Sequence, residues 1–176
     1  MNLVLIGYRG SGKTTVGKRL AARMGKEFVD TDDLLEKQHG ALISDIVKFH
    51  GWDYFRAMER EIIEGISNQD HLVIAPGGGA VLDPENILAL KRNGFIIWLK
   101  ADGHTIRKRM EKDCRTGDRR PSLTGKGIFD ELEEVMAFRY PIYEKVSEAQ
   151  IDTSALSPEE VVETIFSIFH ERMGRI

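Results

Sequence analysis

The chain has 176 residues and a formal net charge of -3, so no whole-molecule field draws it to nucleic acid. Hydrophobic residues at 41% and charged residues at 30% are globular proportions, enough for one domain with a sizeable core, and no run of 18 uninterrupted apolar residues is present to span a membrane. A lone cysteine, Cys114, excludes an intrachain disulfide and fits a reducing cytoplasm.

The first apolar run, Leu3-Val4-Leu5-Ile6, reads as a fully buried strand that leaves no room before it for a secretory leader. It feeds Gly7-Tyr8-Arg9-Gly10-Ser11-Gly12-Lys13-Thr14-Thr15, after which Val16, Leu20 and Met24 fall on one helical face. The spacing Gly7-x-x-x-x-Gly12-Lys13-Thr14 between a strand and a helix is a P-loop. Such a loop aims backbone N–H groups and a helix N-terminus at phosphate oxygens. Gly10, Ser11, Gly12, Lys13, Thr14 and Thr15 are therefore the expected triphosphate cradle, with Lys13 at the β- and γ-phosphates and the Thr14 hydroxyl on Mg²⁺.

Residues 27–30 read as a short second strand ending in Asp30-Thr31-Asp32-Asp33, where Asp32 or Asp33 is expected to cap a helix over 34–39 that Gly40 stops. Two helices are expected next, over 42–49 with Ser44 as a candidate cap near its start, and over 53–67 with Phe55, Met58, Ile62, Ile63 and Ile66 at helical spacing. The third strand, 72–75, runs into Pro76-Gly77-Gly78-Gly79, and Asp83-Pro84 has N-cap and N1 character for a helix through Leu90. A fourth strand over 95–99 and a basic helix over 105–112 follow. Residues 113–127 hold Arg115, Arg119, Arg120 and Lys126 among breakers and few apolar residues, which reads as a lid or binding loop. A helix over 129–143, a fifth strand over 150–152, and a capping box with Pro at N1, Ser157-Pro158-Glu159-Glu160, opening a helix to about 172, complete the chain. This alternation argues an open parallel α/β sheet of five strands with helices on both faces.

In such sheets ligands bind beyond the carboxyl ends of the strands, where the P-loop, Asp30 and Asp32, and Gly77, Gly78 and Gly79 all arrive. One of the two aspartates would serve Mg²⁺ and its waters while the other faces an acceptor hydroxyl; helix capping is the competing reading for Asp32 and Asp33. Three consecutive glycines allow either close backbone approach or positive φ. Arg56, Arg120 and Arg139 each read alone as solvated charges, but clustered guanidinium forks would mark an anionic acceptor. The five histidines have no metal-ligand spacing, and Trp52 and Trp98 read as packing. The Asn-Lys-x-Asp base-reading motif expected of a GTPase switch is absent.

Taken together, Gly7–Thr14, Asp30-Thr31-Asp32, Phe55-Arg56 with Glu59, Gly77-Gly78-Gly79-Ala80-Val81, Arg120-Pro121 and Arg139-x-Pro141-x-Tyr143 resemble the shikimate kinase family over nearly the whole chain. The P-loop specifies only the superfamily; the ordered set is far more specific. The resemblance implies a three-layer P-loop kinase fold with sheet order 2-3-1-4-5. It also implies transfer from ATP to the 3-hydroxyl of shikimate in aromatic amino-acid biosynthesis. By the same resemblance Arg56 and Arg139 hold the acceptor carboxylate, and Asp32 and the backbone around Gly78 hold its hydroxyls. Asp32 orients or deprotonates the attacking hydroxyl, Asp30 supports Mg²⁺ through water, and Arg120 meets the transferring phosphoryl beside Lys13. Adenine would lie near Pro158, against a lid arginine that is Arg109 or Arg115. The chain departs from the family where Gly51-Trp52-Asp53 replaces a Gly-Glu pair and where Ser122-Leu123 follows Arg120-Pro121. The expectation is one cytoplasmic kinase domain over 1–176, with acceptor-binding helices at about 32–67 and a lid at about 113–127. It would act as a monomer on ATP and shikimate, with no nucleic-acid or membrane partner. A gluconate or nucleoside monophosphate kinase is the nearest alternative, and the Asp30/Asp32 and Arg56/Arg139 set disfavours it.

Overall fold

Every expected strand forms, and the central one is the first. In the computed structural model, which describes residues 1–113, 122, 123, 125 and 127–174, β1 (Asn2–Ile6) is buried throughout. It has β3 (Leu72–Ala75) on one side and β4 (Gly94–Lys100) on the other. The edges are β2 (Glu27–Asp30), paired with β3, and β5 (Ala149–Asp152), paired with β4. All pairings are parallel and the order is β2-β3-β1-β4-β5. The chain reverses its winding direction at β1, so the crevice beyond that strand's carboxyl end is the natural ligand site.

The near-continuous apolar character of the inner strands follows from burial on both faces. On one face Leu3, Leu5, Val73 and Ile97 pack against Val16 and Leu20 of α1 (Lys13–Met24) and Val161 and Ile165 of α7 (Pro158–Met173). On the other, Val4, Ile6, Ile74, Ile96 and Trp98 meet α3 (Ile43–Ser67), α4 (Pro84–Asn93), α5 (Gly103–Lys112) and α6 (Leu132–Val146). A smaller cluster of Leu35, Ile43, Ile46, Phe55 and Ile62 joins α2 (Thr31–His39) to α3 outside the sheet.

Some local expectations change. Helix α2 begins at Thr31, and its N-cap is Asp30, whose side chain accepts the Asp32 N–H; neither Asp32 nor Asp33 caps it. The strand thus ends at the first aspartate and the second lies in the helix's first turn. The two helices expected over 42–49 and 53–67 abut in α3, with no connecting loop but a kink at Gly51, φ 84° and ψ 171°, a backbone state other residues rarely adopt. Ser44 does not cap it, since the N-cap is Leu42 with no side-chain bond. Helix α6 also starts later than expected, because residues 128–130 form a turn. The Asp83 and Ser157 caps form as read, the latter as a complete capping box. Cys114, Arg115, Arg119, Arg120, Pro121 and Lys126, and with them most of the expected lid, lie outside the described residues. No helix among the described residues is long and apolar enough to cross a membrane.

Candidate active site

The P-loop leaves β1 and turns into α1 at Gly12, which sits in the left-handed region. Lys13 Nζ donates to the carbonyls of Gly7 at 2.8 Å and Tyr8 at 3.2 Å, so the ammonium lies folded across the loop. Around it opens a cleft lined by Gly10–Val16, Asp30, Asp32, Gly78, Arg109, Thr153 and Pro158. Every residue of the expected phosphate cradle is in that wall, as is Pro158.

Arg109 also belongs there. Its guanidinium donates to the Thr153 hydroxyl at 2.9 Å, the Thr153 carbonyl at 2.6 Å and the Gly10 carbonyl at 3.4 Å. Helix α5 is thereby tied both to the P-loop and to the loop after β5. Arg115, the other candidate for adenine, lies outside the described residues.

Asp30 and Thr14 meet across the floor: the Thr14 hydroxyl donates to Asp30 Oδ2 at 2.9 Å, while Asp30 Oδ1 accepts the Asp32 N–H at 3.1 Å. A hydroxyl and a carboxylate oxygen side by side at the base of a phosphate cradle are hard donors suited to Mg²⁺. That ion keeps most of its waters and takes its other ligands from substrate phosphates. No group of three or more His, Cys, Asp or Glu side chains among the described residues is placed to hold a metal ion.

Strand β2 runs beside β3, with Asp30 opposite Ala75, so the glycine loop after β3 starts next to α2. The Gly77 N–H donates to Thr31 Oγ1 at 3.0 Å and the Tyr143 hydroxyl donates to the Gly78 carbonyl at 2.5 Å. None of the three glycines has a positive φ. Close approach is the reason for them instead: a side chain at Gly77 would meet Asp32 Oδ1 at 2.7 Å and Glu59 Oε1 at 2.9 Å. One at Gly79 would meet Arg56 Nη2 at 2.5 Å and Arg139 Nη2 at 3.2 Å.

That last pair of distances places together what the sequence left apart. Arg56 from α3 and Arg139 from α6 converge over Gly79 in a second cleft, which includes Asp32, Gly77, Gly78, Trp52 and Phe55 in its wall. Arg56 donates to Glu59 Oε2 at 2.5 Å and lies 5.5 Å from the Trp52 ring centre. Glu59 is 1% exposed and its other oxygen has no hydrogen-bond partner among the described residues. Burial pushes its carboxyl up to about 7 against the opposing pull of Arg56. Two guanidinium groups with one buried, half-neutral carboxyl between them leave net positive charge facing the cleft, the setting for a carboxylate ligand.

Asp32 and Gly78 line both clefts, so the phosphate cradle and the arginine pocket share one wall. Sequence reasoning missed several contributors. Arg9, an unspecified position of the P-loop spacing, lines the acceptor cleft, as does Leu123. Thr153, 2% exposed, accepts Arg109 and donates to the Lys100 carbonyl at 3.1 Å. Its position just past the carboxyl end of β5 was the available signal. Trp52 packs as expected, edge-on to Phe55 at 5.7 Å, and also forms part of the cleft. Arg120 is the one expected catalytic residue that lies outside the described residues.

The comparisons with known proteins agree with this geometry. The family model described as shikimate kinase matches residues 9–169. A shikimate kinase of Syntrophus aciditrophicus is 40% identical over 179 residues, covering 97% of this chain and 92% of that protein. One of Symbiobacterium thermophilum is 42% identical over 175 residues, with 99% of each covered. Among solved structures, the shikimate kinase from Acinetobacter baumannii in complex with shikimate superposes with a TM-score of 0.89 at 30% identity, covering 97% of this chain and 93% of that one. A P-loop sharing a wall with a two-arginine pocket, on a sheet of this order and with relatives this similar along almost its whole length, places the chain in the shikimate kinase family.

Proposed function

We propose that this chain transfers the γ-phosphoryl group of ATP to the 3-hydroxyl of shikimate, yielding shikimate 3-phosphate and ADP on the route to aromatic amino acids. The observation that carries the reading is the wall shared by the two clefts, Asp32 and Gly78, because direct transfer requires donor and acceptor to lie in contact. In this reading Arg56 and Arg139 take the acceptor carboxylate. Gly77, Gly78 and Gly79 present backbone to the ring hydroxyls without side chains in the way. Asp32 orients the attacking hydroxyl and takes its proton as the new O–P bond forms. Phosphoryl transfer asks little else of a protein beyond positioned cations, and Lys13 supplies one.

Gly10, Ser11, Gly12, Thr14 and Thr15 hold the phosphates, with Arg109 and Pro158 flanking the base. Thr14, with Asp30 acting through water, would hold Mg²⁺, which supplies neutralisation of the charge on the β- and γ-oxygens. The same reading takes the chain as one kinase domain acting as a monomer. The lone cysteine supports a cytoplasmic setting.

The test is ADP release with shikimate, gluconate, AMP and CMP as acceptors. Turnover of shikimate alone is expected. Turnover of gluconate without shikimate would sink the reading, and slow hydrolysis indifferent to every acceptor would favour a nucleotide switch.

A further inference from the structure

Glu131, just ahead of α6, is 0% exposed although it bears a carboxylate. The Leu123 N–H donates to both of its oxygens, at 3.0 Å to Oε1 and 2.8 Å to Oε2, and the Ser122 hydroxyl donates to Oε2 at 2.8 Å. Ser122 Oγ in turn accepts the Gly125 N–H at 2.9 Å and the Gly127 N–H at 3.3 Å. The Glu131 backbone closes the loop by donating to the Gly127 carbonyl at 3.1 Å. One buried side chain thus ties together Ser122 and Leu123 and, through the Ser122 hydroxyl, Gly125 and Gly127.

A carboxylate removed from water costs several kcal/mol unless hydrogen bonds offset it, and a turn that only had to exist would be cheaper with neutral groups. Two neighbours indicate what the carboxylate is for. Leu123 is an apolar wall of the acceptor cleft, and Arg9 of the P-loop lines the same cleft. The charge of Glu131 also reaches the buried Tyr8 phenol beside Arg9, where with burial it helps hold the phenol above its ordinary range. Glu131 therefore bonds to the segment that carries Leu123 and lies near enough to the phosphate loop for its charge to be felt at Tyr8.

We propose that Glu131 is a positioning residue for the acceptor: its carboxylate clamps the Leu123 backbone so that the Leu123 side chain stands as a fixed apolar wall beside the arginine pocket. This rests on the kinase reading for its kinetic consequence, though not for the clamp itself. Carboxylate–arginine pairing alone accepts any small acid. A rigid apolar wall at one side of the cleft adds selection for a ring whose carbon face matches it, because a misplaced wall forfeits contact without altering the charge.

The test uses the full chain with Glu131→Gln and Ser122→Ala. Amide exchange at Leu123, read by NMR without any substrate, should rise about 10-fold or more in Glu131→Gln, the size of a lost charge-assisted bond. In steady state the shikimate KM should rise by a similar ~10-fold, while the ATP KM and the far-ultraviolet spectrum stay as they were. Ser122→Ala, which leaves the carboxylate in place, should move both readouts the same way by less. Unchanged exchange in Glu131→Gln overturns the clamp. Faster exchange with an unchanged shikimate KM, or a uniform loss of turnover at constant KM, overturns the positioning role. Absence of shikimate turnover by the unsubstituted protein would instead sink the kinase reading, and exchange at Leu123 would still decide the clamp.

Discussion

The Thr14 hydroxyl donates to Asp30 Oδ2 at 2.9 Å, joining the first turn of the phosphate-binding helix to the last residue of an edge strand. Asp30 has a second duty as the N-cap of α2. Asp30→Ala should therefore cost about 1 kcal/mol for the cap and raise the Mg²⁺ concentration for half-maximal activity. Thr14→Val should raise the Mg²⁺ requirement with no cap penalty. Magnesium titrations and thermal melts on both variants separate the two effects.

Asp32 lies in the first turn of α2 with its carboxylate facing the Gly77 backbone and the shared wall. Asp32→Asn keeps the shape and removes the proton acceptor. A fall in kcat of about 10² to 10⁴ is expected, with both KM values little changed. Near-normal kcat would remove Asp32 from the chemistry.

Arg56 serves the acceptor and also faces a buried carboxyl, Glu59. Arg56→Ala should raise the shikimate KM about 10-fold to 100-fold and destabilise the fold, because Glu59 is left buried without its cation. Adding Glu59→Gln should recover the melting temperature and leave the KM high. Recovery of both would mean that Arg56 acts only through Glu59.

Glu59 also predicts a pH effect. Its folded-state pKa of about 7 stands above the ordinary glutamate value of 4.5, so the folded protein holds this proton more tightly than the unfolded chain does. The group's contribution to stability is complete at pH below about 4.5 and is lost as pH rises through about 7. Relative to the unsubstituted protein, Glu59→Gln should melt higher at about pH 8 than at about pH 5, by roughly 3 °C per kcal/mol. Melting curves without ligands, taken across that range, give the comparison.

Arg109 bonds to Thr153 and Gly10 and touches nothing in the acceptor cleft. Arg109→Ala should raise the ATP KM about 10-fold with the shikimate KM within about twofold. An equal rise in both would place its effect on the fold instead.

What the sequence made legible was local in origin. The P-loop, the five strand cores, and the Asp83 and Ser157 caps are each written in a few consecutive residues, and each formed. The cap falls on Asp30 and not on Asp32 or Asp33 because four acidic or hydroxyl residues in a row all suit that position, and only the end of the β2–β3 pairing decides between them. The two helices expected over 42–49 and 53–67 both form, and what the sequence did not show is that they abut at Gly51, whose φ of 84° turns the chain directly from one into the other. The arginine pair could be named but not assembled, since Arg56 and Arg139 are brought over Gly79 by the packing of α3 and α6. Thr31, Thr153 and Tyr143 act through hydrogen bonds to backbone far along the chain, which no spacing rule encodes.

The wall common to both clefts bears on how the protein can be blocked. A nucleotide and a hydroxy acid bound separately each lose their own freedom of translation, and neither gains from the other's presence. A single molecule that carried a triphosphate at one end and a cyclic carboxylate at the other would span Asp32 and Gly78 through a very short tether. Its second half would then bind at an effective concentration in the millimolar range or above, set by the tether alone. Affinity would come from joining two modest ligands rather than from improving either one.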